Sequence, residues 1–184
     1  MPESANVGCE SQHRRQWLAV GAAVLMLGGT FTAFSASAGP APIKIAVFDF
    51  ELDDFSGGAG IAGDKAADAE QLNRATSEAR QLIGGSGRYT LVDISADAAV
   101  GSDSLRRQCS GCEAAIALKH GADQYLVGVV TRISRTEYVV HIQIRDARTD
   151  KELLTRQSGL RMGANYSWDR GAASVIKSGV LDSP

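Results

Sequence analysis

The order of its apolar runs constrains this chain more than any other feature. Residues 43–50 read IKIAVFDF, an apolar, β-rich run of buried-strand length. A helical pattern follows over residues 64–83, where Leu72, Ala75, Ala79, Leu82 and Ile83 recur at spacings of three and four and make one packing face. Asp64 is placed to cap this helix and Gly84-Gly85-Ser86-Gly87 to stop it. Residues 88–94 then read as a second strand, and strand–helix–strand predicts a parallel pair with a right-handed crossover. Residues 51–63, with four glycines, are expected to be a loop.

Downstream, residues 95–107 are expected to hold one short helix, and residues 113–120 another, closed by Gly121. Residues 125–133 are a strongly apolar strand. Over 138–145 the alternation is clean, with Val140, Ile142 and Ile144 facing one way and His141, Gln143 and Arg145 the other. A tight turn at Ser134-Arg135 makes these two strands an antiparallel hairpin. Residues 146–150 turn the chain into a fifth strand over 152–161, and residues 165–180 form a final helix, amphipathic through Trp168, Ala172, Val175 and Ile176. The expected fold is a single α/β domain of two or three layers, with a mixed five-stranded sheet in the order β-α-β-α-β-β-β-α.

The first part of the chain reads as an address. Arg14 and Arg15 precede an uncharged apolar stretch over residues 17–34, and Ala36-Ser37-Ala38 follows as a small-residue cleavage site. These features in this order predict a signal peptide over residues 1–38, cut near Ala38, and a domain over 39–184 in the periplasm or outside the cell. Kept uncleaved, the stretch would serve as a membrane anchor, and the leader is the one expected contact with a membrane. Cys9 leaves with the leader, so the three cysteines of the chain reduce to Cys109 and Cys112. Lys plus Arg is 19 and Asp plus Glu is 21, a net charge of -2 that argues against a nucleic-acid partner. The balance is uneven. Residues 39–123 carry 13 acids and 8 bases, whereas residues 124–184 carry 6 acids and 9 bases. Such asymmetry fits a docking surface.

Three groups could carry chemistry. Residues 58–63 have the spacing G-x-G-x-x-G, but seven residues separate them from the strand, and Glu51, Asp53 and Asp54 among these would repel a pyrophosphate. The stretch therefore reads as a glycine-rich loop. Asp49, Glu51, Asp53 and Asp54 cluster where the first strand ends and form a candidate ligand or cation loop. Cys109-Ser110-Gly111-Cys112 at a helix start reads as a structural disulfide, with a redox-active pair or a metal site as alternatives. A thioredoxin-like site would need a proline opposite the disulfide, and none occurs between Ile43 and Ser183. With only His120 and His141 after the leader and neither G-x-S-x-G nor H-E-x-x-H, no catalytic residues, no resident metal and no cofactor are expected.

Residues 45–52 (IAVFDFEL), Cys109-Ser110-Gly111-Cys112-Glu113, Gly121-Ala122-Asp123 before Val127-Gly128-Val129-Val130, and Arg161 with Ser167-Trp168 resemble a family of small secreted bacterial proteins of unknown function. The chain departs from that family's last block at residues 162–166. More broadly, the opening strand, the Gly-Ala-Asp and the Asp146-Ala147-x-Thr149-Asp150-x-x-Leu153 turn resemble the amino-terminal domain of the Tol–Pal propeller protein and the curli-secretion lipoprotein type. The second resemblance implies an α/β envelope module that works by contact rather than catalysis. The expectation is an exported, non-catalytic protein that binds an envelope protein or a small ligand. Binding would use the loop after the first strand and a surface at Arg161, Ser167 and Trp168. A thiol–disulfide accessory using Cys109 and Cys112 and a carboxylate cation-binding protein are the alternatives.

Overall fold

The computed structural model describes residues 40–57, 65–97, 110–134, 136–161 and 168–182. These lie in one compact unit, Ala38–Pro184. In chain order the elements are β1 (Ile43–Val47), β2 (Glu51–Asp54), α1 (Lys65–Gly85), β3 (Tyr89–Val92), α2 (Cys112–Lys119), β4 (Gln124–Arg132), β5 (Glu137–Asp146), β6 (Glu152–Arg161) and α3 (Trp168–Ile176). A π-helical turn, Lys177–Leu181, extends α3. None of the described helices is long and apolar enough to cross a membrane.

The fold is α/β with one open mixed sheet in the order β3-β1-β4-β5-β6. β1 pairs parallel with β3, as the strand–helix–strand pattern requires, and on its other side parallel with β4. β4, β5 and β6 form an antiparallel meander. The alternation of β1 and β4 then divides two cores. Ile45, Val47, Leu126 and Val130 join Val140, Ile142 and Ile144 under Ala75, Ala79 and Ile83 of α1 and Trp168, Ala172, Val175 and Ile176 of α3. Ala46, Phe48, Tyr125 and Val127 face the other way, onto Ala114, Ile116 and Ala117 of α2. The molecule therefore has three layers over β1 and β4. The anticipated α1 face Leu72-Ala75-Ala79-Leu82-Ile83 is the face that packs on the sheet.

Among the described residues one element differs from expectation, and the short helix expected within residues 95–107 lies, from residue 98 on, outside them. Residues 51–54 are not loop but a sixth strand, β2, which runs parallel to β4 from Glu51↔Val129 to Asp54↔Arg132. β1 and β2 share one edge of β4, broken at Phe48, Asp49 and Phe50. The cause is the Phe50 ring, which lies on Gly128 so closely that a Cβ there would sit 2.4 Å from it. The Phe50 N–H donates to Thr76 Oγ1 at 2.9 Å, and that hydroxyl donates to the Leu72 carbonyl at 2.9 Å. These contacts return the chain to β4 one step later.

Gly121-Ala122-Asp123 and the 146–150 turn have structural roles. Gly121, at φ 79, ends α2, and the Ala122 N–H donates to the Ala117 carbonyl. The Asp123 N–H then donates to the Lys44 carbonyl, and the Asp123 carbonyl accepts from Ala147 N–H, both at 2.9 Å. Asp146 Oδ1 accepts from the backbone N–H of Arg148 and Thr149 and from the Thr149 hydroxyl, an Asx turn that delivers Asp150 at φ 56.

Candidate functional site

The site forms where β2, α1, β4, β5 and α3 meet. Its centre is Arg132, the last residue of β4. It falls in phase with Leu126, Gly128 and Val130, so its side chain enters the α1/α3 core and is only 8% exposed. A guanidinium there needs anionic partners, because burial disfavours its charge. Two carboxylates supply them. Nη1 donates to Asp54 Oδ2 at 2.9 Å and Nη2 to Asp68 Oδ1 at 2.5 Å. Its faces are covered by aromatic rings, with the guanidinium carbon 5.6 Å from the Tyr138 centroid and 5.7 Å from that of Trp168. Those two rings lie 5.6 Å apart at 55°.

The electrostatics fix the charge states. For Arg132, burial opposes the charge, but the bonds to Asp68 and Asp54 outweigh it and hold its pKa above the ordinary arginine value. For Asp54, burial also opposes ionisation. The Ser56 hydroxyl and N–H, at 2.7 and 3.0 Å, together with Arg132, overcome it and hold the carboxyl below the usual range. Both groups stay charged across the physiological range, so the cluster works as an ion lock and not as an acid or base.

The lock fixes what lies outside it. The Phe55 N–H donates to the Arg132 carbonyl at 2.9 Å, so the parallel ladder continues by one step and sets Phe55 beside Ile133. Phe55 is 75% exposed and Ile133 46%. Two large exposed apolar residues thus follow the last ladder pair, one on each strand.

The sequence-derived residues divide around this centre. Asp54 and Trp168 come together through Arg132, although 114 positions separate them in the chain. Trp168 is 0% exposed, which corrects its expected place on a binding surface: its ring is the wall of the lock. The carboxylates of the presumed cation loop do not converge. Asp49 is exposed and pairs with Arg80 at 2.9 Å, Asp54 turns to Arg132, and strand alternation sends Glu51 and Asp53 to the opposite face of β2. Among the described residues no three His, Cys, Asp or Glu side chains are grouped to hold a metal ion. Cys112 opens α2, while Cys109, Ser167 and the glycines of residues 58–63 lie outside the described residues, as does the Arg161 side chain. Arg132, Asp68 and Tyr138 were missed by sequence reasoning. The available signal was an arginine in phase with the buried face of an apolar strand.

A second cluster closes the opposite end of β4. The Tyr125 hydroxyl donates to Asp150, and Arg145 donates through Nε and Nη2 to the Asp150 carbonyl at 3.1 and 2.5 Å. Burial, the bond to Asp150 and that carboxylate's charge raise the Tyr125 pKa above the ordinary phenol value.

Comparison with known proteins adds a family. A family model described as a protein of unknown function (DUF2380) matches residues 43–179. The chain belongs to the DUF3280 family. Among curated proteins none matches it. Similar solved structures include the LpoB C-terminal domain from Salmonella enterica, at 18% identity and TM-score 0.42, covering 69% of this chain and 88% of that one. Lipoprotein GNA1162 from Neisseria meningitidis is similar at 18% identity and TM-score 0.48, over 74% and 92% of the two chains. TolB from Acinetobacter baumannii is similar at 18% identity and TM-score 0.44, over 76% of this chain and 28% of that one.

Proposed function

We propose that the protein is an exported, non-catalytic module of the bacterial envelope that binds a partner protein at the Phe55–Ile133 end of its sheet. One observation carries this reading: a phenylalanine 75% exposed, beside a half-exposed isoleucine, on a backbone held by the buried Arg132. An exposed aromatic on a rigid support is how protein interfaces anchor a partner, because little side-chain freedom is lost on binding. The leader pattern over residues 1–38 supports export, to the periplasm or beyond. Cys112 is disulfide-bonded, which supports pairing with Cys109 in an oxidising compartment.

The test is capture from an envelope fraction by the wild-type chain and by a Phe55→Ser/Ile133→Ser double variant. The reading expects a protein retained by the first and lost by the second, with the thermal stability of the two chains alike. Equal capture by both would remove this end as the interface.

A second reading, a thiol–disulfide accessory, draws on the C-x-x-C spacing of Cys109 and Cys112, the second of which opens α2. A reduction potential below about -300 mV would mark a purely structural bond.

A further inference from the structure

Arg132 and Glu113 are the charged residues buried among those described, and their surroundings treat them differently. Arg132 has two carboxylates and two aromatic rings. Glu113, 7% exposed, has no side-chain hydrogen bond and no ion pair among the described residues. A buried carboxylate is normally paired or hydrogen-bonded, because it gives up water on burial and regains nothing without a partner. The fold explains the burial. Glu113 lies in the first turn of α2, between the disulfide-bonded Cys112 and Ala114, both packed into the α2 core. The positive end of the helix favours a negative charge there. It supplies no bond, since Gly111, the N-cap at φ 81, offers no side chain and the Ala115 N–H is spent on the Gly111 carbonyl at 3.2 Å.

The carboxylate is nonetheless within reach. Arg132 Nε and Thr155 Oγ1 are sealed from solvent without a partner, whereas the Glu113 oxygens are not sealed. The side chain is thus buried along its stem and open at its tip. Its charge also reaches the clasp at the start of β4. Burial and Asp150 raise the Tyr125 pKa most, and Glu113 adds to them while Arg145 opposes. Two carboxylates and one guanidinium act on that hydroxyl, an excess of one negative charge.

We propose that Glu113 is the anionic centre of a binding site for a single organic cation, an ammonium or guanidinium group, at the start of α2. Such a group brings the N–H donors that the two carboxylate oxygens lack, in charge-assisted bonds. Its one positive charge also cancels the local excess. A metal dication fits less well. Calcium takes roughly six to eight oxygen ligands, and among the described residues no three His, Cys, Asp or Glu side chains are grouped to hold a metal ion. The site is built before the ligand arrives, because the packing of Ala114, Ile116 and Ala117 holds α2 on the sheet and little ordering is left to binding. It shares no residue with the Phe55–Ile133 surface.

The probes are n-butylammonium chloride and n-butylguanidinium chloride, each titrated into the isotope-labelled chain beside an equal concentration of sodium chloride and followed by amide NMR. The expected result is saturable movement of the backbone signals of Glu113 and its neighbours with at least one probe, at a dissociation constant of about a millimolar, weakened about tenfold or more by Glu113→Gln. The tighter probe distinguishes a lysine-like from an arginine-like ligand. Thermal unfolding without a probe is the second measurement. Glu113→Gln keeps the shape and removes an unpartnered buried charge, so its midpoint should equal or exceed that of the wild type. Signals that follow sodium chloride alone, or a variant that binds the probes as the wild type does, overturn the inference. So does a variant that melts well below the wild type or fails to fold, because the carboxylate would then have a partner inside the chain.

Discussion

The two ends of β4 are built from the same parts and differ in depth. At one end Arg132 meets Asp54, Asp68, Tyr138 and Trp168; at the other Arg145 meets Asp150 and Tyr125. Arg132 is 8% exposed, whereas Arg145 is 30% and Asp150 41%. Burial decides what each arginine is worth. A half-exposed pair gains little over water and is screened by salt. A buried pair gains modestly when intact, but losing one partner strands a charge in the core. Similar residues therefore give a lock at one end and a turn clasp at the other.

The largest expected effect breaks the lock. Arg132→Ala should cost about 3–5 kcal/mol in urea unfolding, against at most about 1 kcal/mol for Arg145→Ala. Equal losses would erase the distinction between the ends. Between them, Gly128→Ala forces the Phe50 ring to move and should cost about 1–3 kcal/mol, with weakened hydrogen-exchange protection in β2 while β5 and β6 keep theirs. Tyr125→Phe removes one partly buried hydroxyl bond and should cost about 1 kcal/mol by thermal unfolding.

Acid titration sharpens the same contrast with a smaller effect. Asp54 titrates below its ordinary value in the folded chain, so its contribution is present above about pH 3.9 and fades as pH falls through the lower native value. Asp146, at the other end, is likewise held low, chiefly by the Thr149 N–H and hydroxyl, which together with Arg148 overcome the opposing effect of desolvation. Asp54→Asn should flatten the acid limb of stability more than Asp146→Asn does, because the Asp54 carboxylate also faces a buried cation. The smallest change is Arg148→Ala. Its contact with Asp123 spans 3.9 Å at the surface, and unfolding should not register its loss.

Much of this was legible in the sequence. The 3.6-residue pattern of α1 and the two-residue alternation of β5 each depend on near neighbours, and the structure follows both. The Gly121 stop and the Asp146 turn were readable for the same reason. β2 was not, because ELDD carries no strand signal of its own. It becomes a strand because Phe50 packs on Gly128, 78 positions away, and returns the backbone to β4. The four carboxylates looked like one group because they are adjacent in sequence, yet strand alternation and two different arginines separate them.

By itself, then, the sequence determined α1, α2 and α3, most of the described strands and the sense in which they pair, since each is a property of residues a few positions apart or of connection length. Only the tertiary structure decided that Arg132 is buried, that Trp168 is its wall, and that Phe55 and Ile133 stand exposed just past the Asp54–Arg132 pair. The partners of Arg132 lie 78 and 64 positions upstream. Which distant carboxylate meets a buried cation depends on how the sheet is ordered and which helix covers it, and no local pattern encodes that.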